Sequence, residues 1–372
     1  MGEMANSAWE ADMKRMQRVR KRYGRNCRFS GYEILAVALA GVMALTPTAG
    51  AAQDTATTRL LDQVRAADMR LAAIGYRLAT ANAALCDRLE PGTGLQLHAI
   101  EQYDGAVRDA ARSFFGFATP VAVEGVVPGS PADRAGLRAG DALSRIGPVT
   151  IDADSGKGGA TTQRIVQLHQ AVAMLPPSAP LPVDRIANGA SGEVVIQPVP
   201  ACRTRFELKL DGGLDAQADG TMVQIGARFL EDYPDDELAA LVAHELSHNI
   251  LHHRDRLEAK GVNFGMLAGF GGNVKYFRQT ETEADLLSVY LLANAGYDVR
   301  AAARFWGKFG KRTDAGFLAE RTHPGWKDRR ATVEHEAALI EANPTRPIIP
   351  PLVATRDKPL DGNWQALLVR HD

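Results

Sequence analysis

The chain has 372 residues, room for two or three domains that each bury a core. It is 45% hydrophobic and 23% charged, with a formal net charge of −1, the balance of an ordinary globular protein. Residues 1–52 hold eight Lys or Arg against four acids, leaving 35 basic and 40 acidic residues beyond them, so the body of the chain has no basic face for nucleic acid.

The basic block from Lys14 to Arg28 precedes an apolar run, 34–45, and then Thr46-Pro47-Thr48-Ala49-Gly50-Ala51-Ala52-Gln53. A positive segment, an apolar core and small residues at a cleavage point form the pattern of a secretory signal peptide over residues 1–52. Cleavage is expected after Ala52 or Ala51. An uncleaved inner-membrane anchor facing the periplasm is the alternative, because residues 34–53 carry no charge and are just long enough to span. Pro47 and the Gly/Ala tail argue for cleavage, and membrane contact is expected only with the anchor. Export to the periplasm places the remainder where disulfides persist. Cys86 and Cys202 are the cysteines beyond the leader; a bond between them and two buried free thiols both fit.

Residues 53–112 read as an N-terminal helical segment. From Thr57 to Leu89 helix formers carry an apolar stripe through Leu60, Leu61, Val64, Leu71, Ile74 and Leu78, predicting one long helix, or two short ones, that stops at Pro91-Gly92. Residues 121–143 then give a β-rich segment, a Pro-Gly turn, a short helix capped by Ser130 and a Gly-Asp turn. The string Gly129-Ser130-Pro131-Ala132, Ala135-Gly136-Leu137, Gly140-Asp141 resembles a PDZ domain of bacterial envelope proteases, assigned to residues 113–201. A helix over 162–175 and strands near 181–186 and 193–199 accompany it. The resemblance implies that Phe115, Gly116 and Phe117 lie where the carboxylate-binding loop should be, and that the module adds a peptide strand to an exposed edge. A module that only braces a neighbouring domain is the other reading.

Residues 221–225 alternate like a strand. They lead to His244-Glu245-Leu246-Ser247-His248, set in an apolar run on a helix that starts near Pro234-Asp235. Helix positions four apart share a face, so His244 and His248 present two imidazoles to one metal ion. Glu245 is then placed as general base for water, the zinc-peptidase arrangement. Similarity to zinc peptidases implies that a strand just upstream of the metal helix, here 221–225, holds substrate in extended form. Two His make half of a tetrahedral shell. Glu281 and Asp285, four apart at the predicted opening of a helix over 286–296, allow Glu281 to bind metal while Asp285 accepts a hydrogen bond from a ligand imidazole. Glu283 is about 200° around from Glu281 and points elsewhere. A solvated acidic helix start is the alternative for this segment taken alone. His252 is expected to lie past the metal and His253 to be structural. The Gly-rich stretch 261–272 is either a mobile apolar lid or a packed helical hairpin.

His-Glu-x-x-His, Glu-x-x-x-Asp about thirty residues later, Ala295-Gly296-Tyr297-Asp298, then Arg321-Thr322-His323-Pro324 and Arg329 together resemble a known metallopeptidase family. It is that of the CAAX prenyl proteases, HtpX and Oma-type enzymes (peptidase family forty-eight), in its soluble exported branch, over roughly residues 205–340. The resemblance implies one Zn2+ per chain on His244, His248 and Glu281, with Glu245 as catalytic base. It also places His323 near the cleft, to stabilise an oxyanion or fill zinc's open position, with helix capping before Pro324 as the alternative.

The predicted architecture is α+β. A mainly helical zinc-peptidase domain with a small sheet occupies 202–340, a β-rich PDZ domain is inserted after the N-terminal helical segment, and a Pro-rich tail covers 341–372. The expected activity is a zinc endopeptidase of the bacterial envelope that degrades or processes misfolded or specific envelope proteins, its partners being protein or peptide substrates. A PDZ-based peptide-binding or chaperone-like protein with a structural or blocked zinc site is the rival.

Overall fold

The computed structural model describes residues 49–152, 159–210, 212–262, 271–313, 323–343 and 345–369. The expectations for the leader up to residue 48 and for most of the Gly-rich stretch 261–272 lie outside them. Among the described residues no helix is long and apolar enough to cross a membrane.

A long helix, Ala49–Ala81, packs against the half of the molecule that residues 205–341 build. Leu71, Ile74 and Leu78 recur at helical spacing and are buried in the main core, whereas Leu60 is 59% exposed. Leu61, a neighbour that points about 100° away from it on a helix, is the one that faces inward. The helix stops well before the predicted Leu89. Asn82 is fully buried, and its side-chain amide donates to Leu78 O and to Leu291 O, a remote helix. A 3-10 turn, Ala83–Leu85, follows. Strand β1 (Leu89–Gly92) then pairs antiparallel with β8 (Val199–Cys202). Long-range pairing thus overrides local helix propensity.

Cys86 and Cys202 are disulfide-bonded, with Cα atoms 5.5 Å apart and a sequence separation of 116. The bond closes the base of everything from β1 to β8 and fits an oxidising compartment. Replacing both cysteines by Ala is expected to lower stability by about 2–4 kcal/mol, read as a lower thermal midpoint; equal midpoints would show that β1–β8 pairing suffices.

Within the bracket, β2 (Leu95–Ala99), β3 (Val121–Val126), β4 (Ala142–Ile146), β6 (Leu181–Ala187) and β7 (Ala190–Ile196) form an antiparallel sheet in that order, with β5 (Val149–Thr150) on β4. Its second core joins Leu97, Val123, Leu143, Val183 and Ile196 to Ile165 and Leu168 of the helix Gln163–Ala173. Ser130 accepts the Asp133 N–H at 3.3 Å and caps the short helix Pro131–Arg134. Asn188 and Gly189 both have positive φ, 50° and 79°, the two-residue hairpin turn that Asn-Gly favours.

The half beyond Cys202 has a three-stranded sheet, β10 (Ala216–Ala218), β11 (Met222–Gly226) and β9 (Arg205–Lys209) in that order. β11 runs antiparallel to β10 and parallel to β9. This corrects the reading of 221–225 as a substrate-holding strand. β11 is hydrogen-bonded on both sides, and the outer strands are β9 and β10.

Besides the short helices Ala227–Asp232 and His253–Ala259, four longer helices build the rest: Asp235–Ile250, Val274–Asn294, Ala301–Thr313 and Trp326–Glu341. The first has Asp235, Asp236 and Glu237 in its opening turn, where the helix dipole favours acids. It is buried from Glu237 to Ser247, so it forms the centre of the core. The chain beyond it wraps these helices. Asn294 bonds both the N–H and the carbonyl of Ile348, Val353 joins the main core, and Leu360 packs on Leu257 and Val262.

Candidate metal centre

The helix Asp235–Ile250 presents His244 and His248 on one face, one turn apart. Glu281 faces them from Val274–Asn294, which packs alongside. That helix begins seven residues before Glu281, so Glu281 and Asp285 sit in its middle. Glu281 is 14% exposed at its side chain and Asp285 is fully buried; the alternative of a solvated acidic helix start is therefore excluded.

His244, His248 and Glu281 bring one ligand atom each within 4.8 Å of one another. His244 Nε2 is 3.2 Å from His248 Nε2 and 3.3 Å from Glu281 Oε2. His248 Nε2 is 3.6 Å from Glu281 Oε1. Two donors about 2.0–2.1 Å from one ion at a tetrahedral angle stand roughly 3.3 Å apart. The two imidazole nitrogens stand at that spacing, each His faces a different oxygen of Glu281 at a similar distance, and His2Glu is a donor set of catalytic zinc.

Behind this face, His244 Nδ1 lies 3.0 Å from Asp285 Oδ1. Arg329, on Trp326–Glu341, donates through Nε to Asp285 Oδ2 at 2.6 Å and through Nη2 to Oδ1 at 2.8 Å. Its guanidinium carbon sits 3.5 Å from the centroid of the Trp306 ring, and His244 meets the same ring edge to face. On the solvent side His323 Nε2 is 3.3 Å from Glu281 Oε2, with 45% of its side chain exposed.

For the protein groups alone, burial disfavours a charged His244, but hydrogen bonds to Asp285 and Glu281 outweigh it and lift its pKa to about 9. Burial holds His248 well below the usual imidazole value, so its ring is neutral and keeps a lone pair. Burial would raise Glu281, but His323 and His244 hold it well below the ordinary carboxylate range. Asp285 is likewise lowered against its burial, by Arg329 and His244. Glu245, 7% exposed, is pushed up to about 7, first by burial, with Glu281 adding to it. The site thus combines a neutral imidazole and two ionised carboxylates with a carboxyl group poised near neutrality.

Other predicted positions fall elsewhere. His252 adopts φ 52° at the turn after the motif helix and bridges Asp87 and Asp357 at 3.2 and 3.0 Å. Phe115 and Phe117 are buried, each ring 4.4 Å from His98. Between them Gly116 has φ +70°, where a Cβ would come within 2.9 Å of Gly140 O. Two features were not found from the sequence. Trp306 lies on the helix Ala301–Thr313, a segment no sequence motif singles out. His253 and Glu283, set aside as structural and as pointing elsewhere, meet behind His248; their five- and two-residue offsets from the motif residues give no local signal.

Two imidazoles, a carboxylate and an adjacent Glu on a buried helix define a metallopeptidase site. Residues 262–337 match the family model described as Peptidase family M48, a stretch that includes Glu281, Asp285, His323 and Arg329. Residues 262–337 thus form an M48 family domain, and with the candidate metal group of His244, His248 and Glu281 they mark a metallopeptidase; the family implies zinc. No curated protein matches the chain.

Proposed function

We propose that the protein is a zinc endopeptidase in which His244, His248 and Glu281 hold the ion and Glu245 is the catalytic base. The observation that carries this reading is the convergence of His244, His248 and Glu281, which bring one donor atom each within 4.8 Å of one another. Zinc bound there supplies Lewis acidity toward the scissile carbonyl and toward water. Glu245 takes the proton of the attacking water and passes it to the leaving amine. Asp285 holds the His244 tautomer, with Arg329 fixing Asp285 in turn. His323, half exposed and beside Glu281, is assigned an active-site role toward the oxyanion or the ion's open position. Of the two outer strands, β10 is the one that runs antiparallel to β11, and it is assigned the extended substrate.

We assign residues 113–201, joined by strand β2 (Leu95–Ala99) of the same sheet, to a PDZ module that delivers substrate. The N–H groups of Phe115 and Phe117 donate to Ala111 O and Arg112 O, so these two do not serve as the amides of a carboxylate-binding loop around Gly116. Support comes from the capped helix Pro131–Arg134, the helix Gln163–Ala173 and a sheet whose outer strands, β2 and β7, suit strand addition. The disulfide and the leader pattern favour work in the bacterial envelope, on misfolded or specific proteins there.

Turnover of an unfolded test protein such as casein is expected to cease on chelation and to return with one equivalent of zinc per chain. His244→Ala is expected to abolish both zinc binding and turnover. Casein that is bound but never cut, with or without zinc, would establish the binding-protein alternative.

A further inference from the structure

Behind the motif helix the described residues hold a second buried polar cluster, and it reaches the metal site through one ring. The chain reverses at His252, whose left-handed φ of 52° brings His253 back under His248. His253 Nδ1 lies 2.8 Å from His248 Nδ1, and its Nε2 lies 3.1 Å from Glu283 Oε2. Glu283 also accepts from Arg256 Nη1 at 2.6 Å and from Gln279 Nε2 at 2.8 Å. His253, Glu283, Arg256 and Gln279 are all buried.

One proton arrangement satisfies this chain when His248 is a ligand through Nε2. A neutral His248 with a bare Nε2 carries its proton on Nδ1. That proton is donated to His253 Nδ1, so His253 carries its own on Nε2 and donates it to Glu283. Arg256 and Gln279, the other groups on the Glu283 carboxylate among the described residues, are donors as well. The reverse arrangement, with His253 donating to His248 Nδ1, would put the His248 proton on Nε2 and close that atom to an ion.

We propose that His253, Glu283 and Arg256 are positioning residues that fix the His248 tautomer and aim its Nε2 at the ion, with the chain at Lys358–Gly362 completing the clamp. This rests on the metal-site reading above. Arg256 Nε donates to Lys358 O at 2.9 Å, and Gly362 N–H donates to Gln279 Oε1 at 2.7 Å, so the C-terminal wrap touches both groups that hold Glu283. Each ligand imidazole then has an arginine-held carboxylate behind its Nδ1. Asp285 reaches His244 directly, whereas Glu283 reaches His248 through the His253 ring.

The test is zinc affinity of the metal-stripped full chain, measured by competition with a chromogenic chelator, together with 15N imidazole shifts, which report the tautomer. His253→Phe keeps a ring in the space and removes the acceptor. It is expected to weaken zinc binding by about 10–100-fold and to shift the His248 nitrogens away from the Nδ1–H pattern. His253→Gln, whose amide can accept from His248 and donate to Glu283, is expected to restore most of the affinity. Equal affinity and unchanged 15N shifts in His253→Phe would overturn the proposal. Should that variant fail to fold, Glu283→Gln carries the test, because it keeps the volume but sets an NH2 against donors; wild-type affinity there overturns it equally. Wild-type protein that binds no zinc would instead overturn the metal-site reading itself.

Discussion

Glu245→Gln is expected to bind one zinc per chain and to cut an unfolded substrate about 10²–10⁴-fold more slowly than the wild type, the range general-base catalysis contributes. Gln has the shape of Glu but cannot take a proton. The ligand triangle of His244, His248 and Glu281 does not include residue 245, so metal content should not change. The position is suited to the task because burial, with Glu281 adding to it, pushes the carboxyl up to about 7, and a base works best near the operating pH. A nearby cation would favour the ionised form, readying it to accept a proton. Metal analysis and initial rates on the same preparation check both halves. Full turnover by the variant would remove Glu245 from the mechanism.

Arg329→Met is expected to show the largest structural effect. The guanidinium binds both oxygens of Asp285, stacks on Trp306 and is 4% exposed. Met fills much of the space but leaves the Asp285 carboxylate buried without its arginine. Breaking a buried ion pair by removing one partner costs about 3–5 kcal/mol, to be read in thermal or urea unfolding. Asp285 would also lose the contact that fixes its angle to His244, so zinc affinity should fall by about 10–100-fold. Arg329→Lys is expected to recover little, because a point charge cannot reproduce the planar two-bond fork or the ring stacking. Unchanged stability and zinc affinity in Arg329→Met would show that Asp285 does not depend on this pair.

What the sequence revealed was what depends on local spacing. His244 and His248 at four residues fix one helix face, and Glu281 and Asp285 repeat the spacing on a second helix, so both pairs could be placed before their contact was seen. The Ser130 cap was equally local, a side chain reaching an N–H three residues on. Features that depend on distant partners were hidden. The long helix ends at Ala81 because Asn82 bonds to Leu291 O and β1 pairs with a strand more than a hundred residues away. β11 lost its place as an edge because β9 lies parallel beside it. The His253–Glu283 contact arises only where two helices pack and the chain turns back at His252. The stretch 341–372 read only as Pro-rich, since the spacing of Asn294, Gln279 and Arg256 gives no hint that they anchor it.

X-ray absorption at the zinc edge of the reconstituted protein tests the central claim most directly. One zinc bound by two imidazole nitrogens and carboxylate oxygen, with ligands at about 2.0–2.1 Å, is the predicted spectrum, and it is expected to be lost in His248→Ala together with the bound zinc. Sulfur ligation, or a spectrum identical in wild type and His248→Ala, would place the metal elsewhere and contradict the assignment of this site.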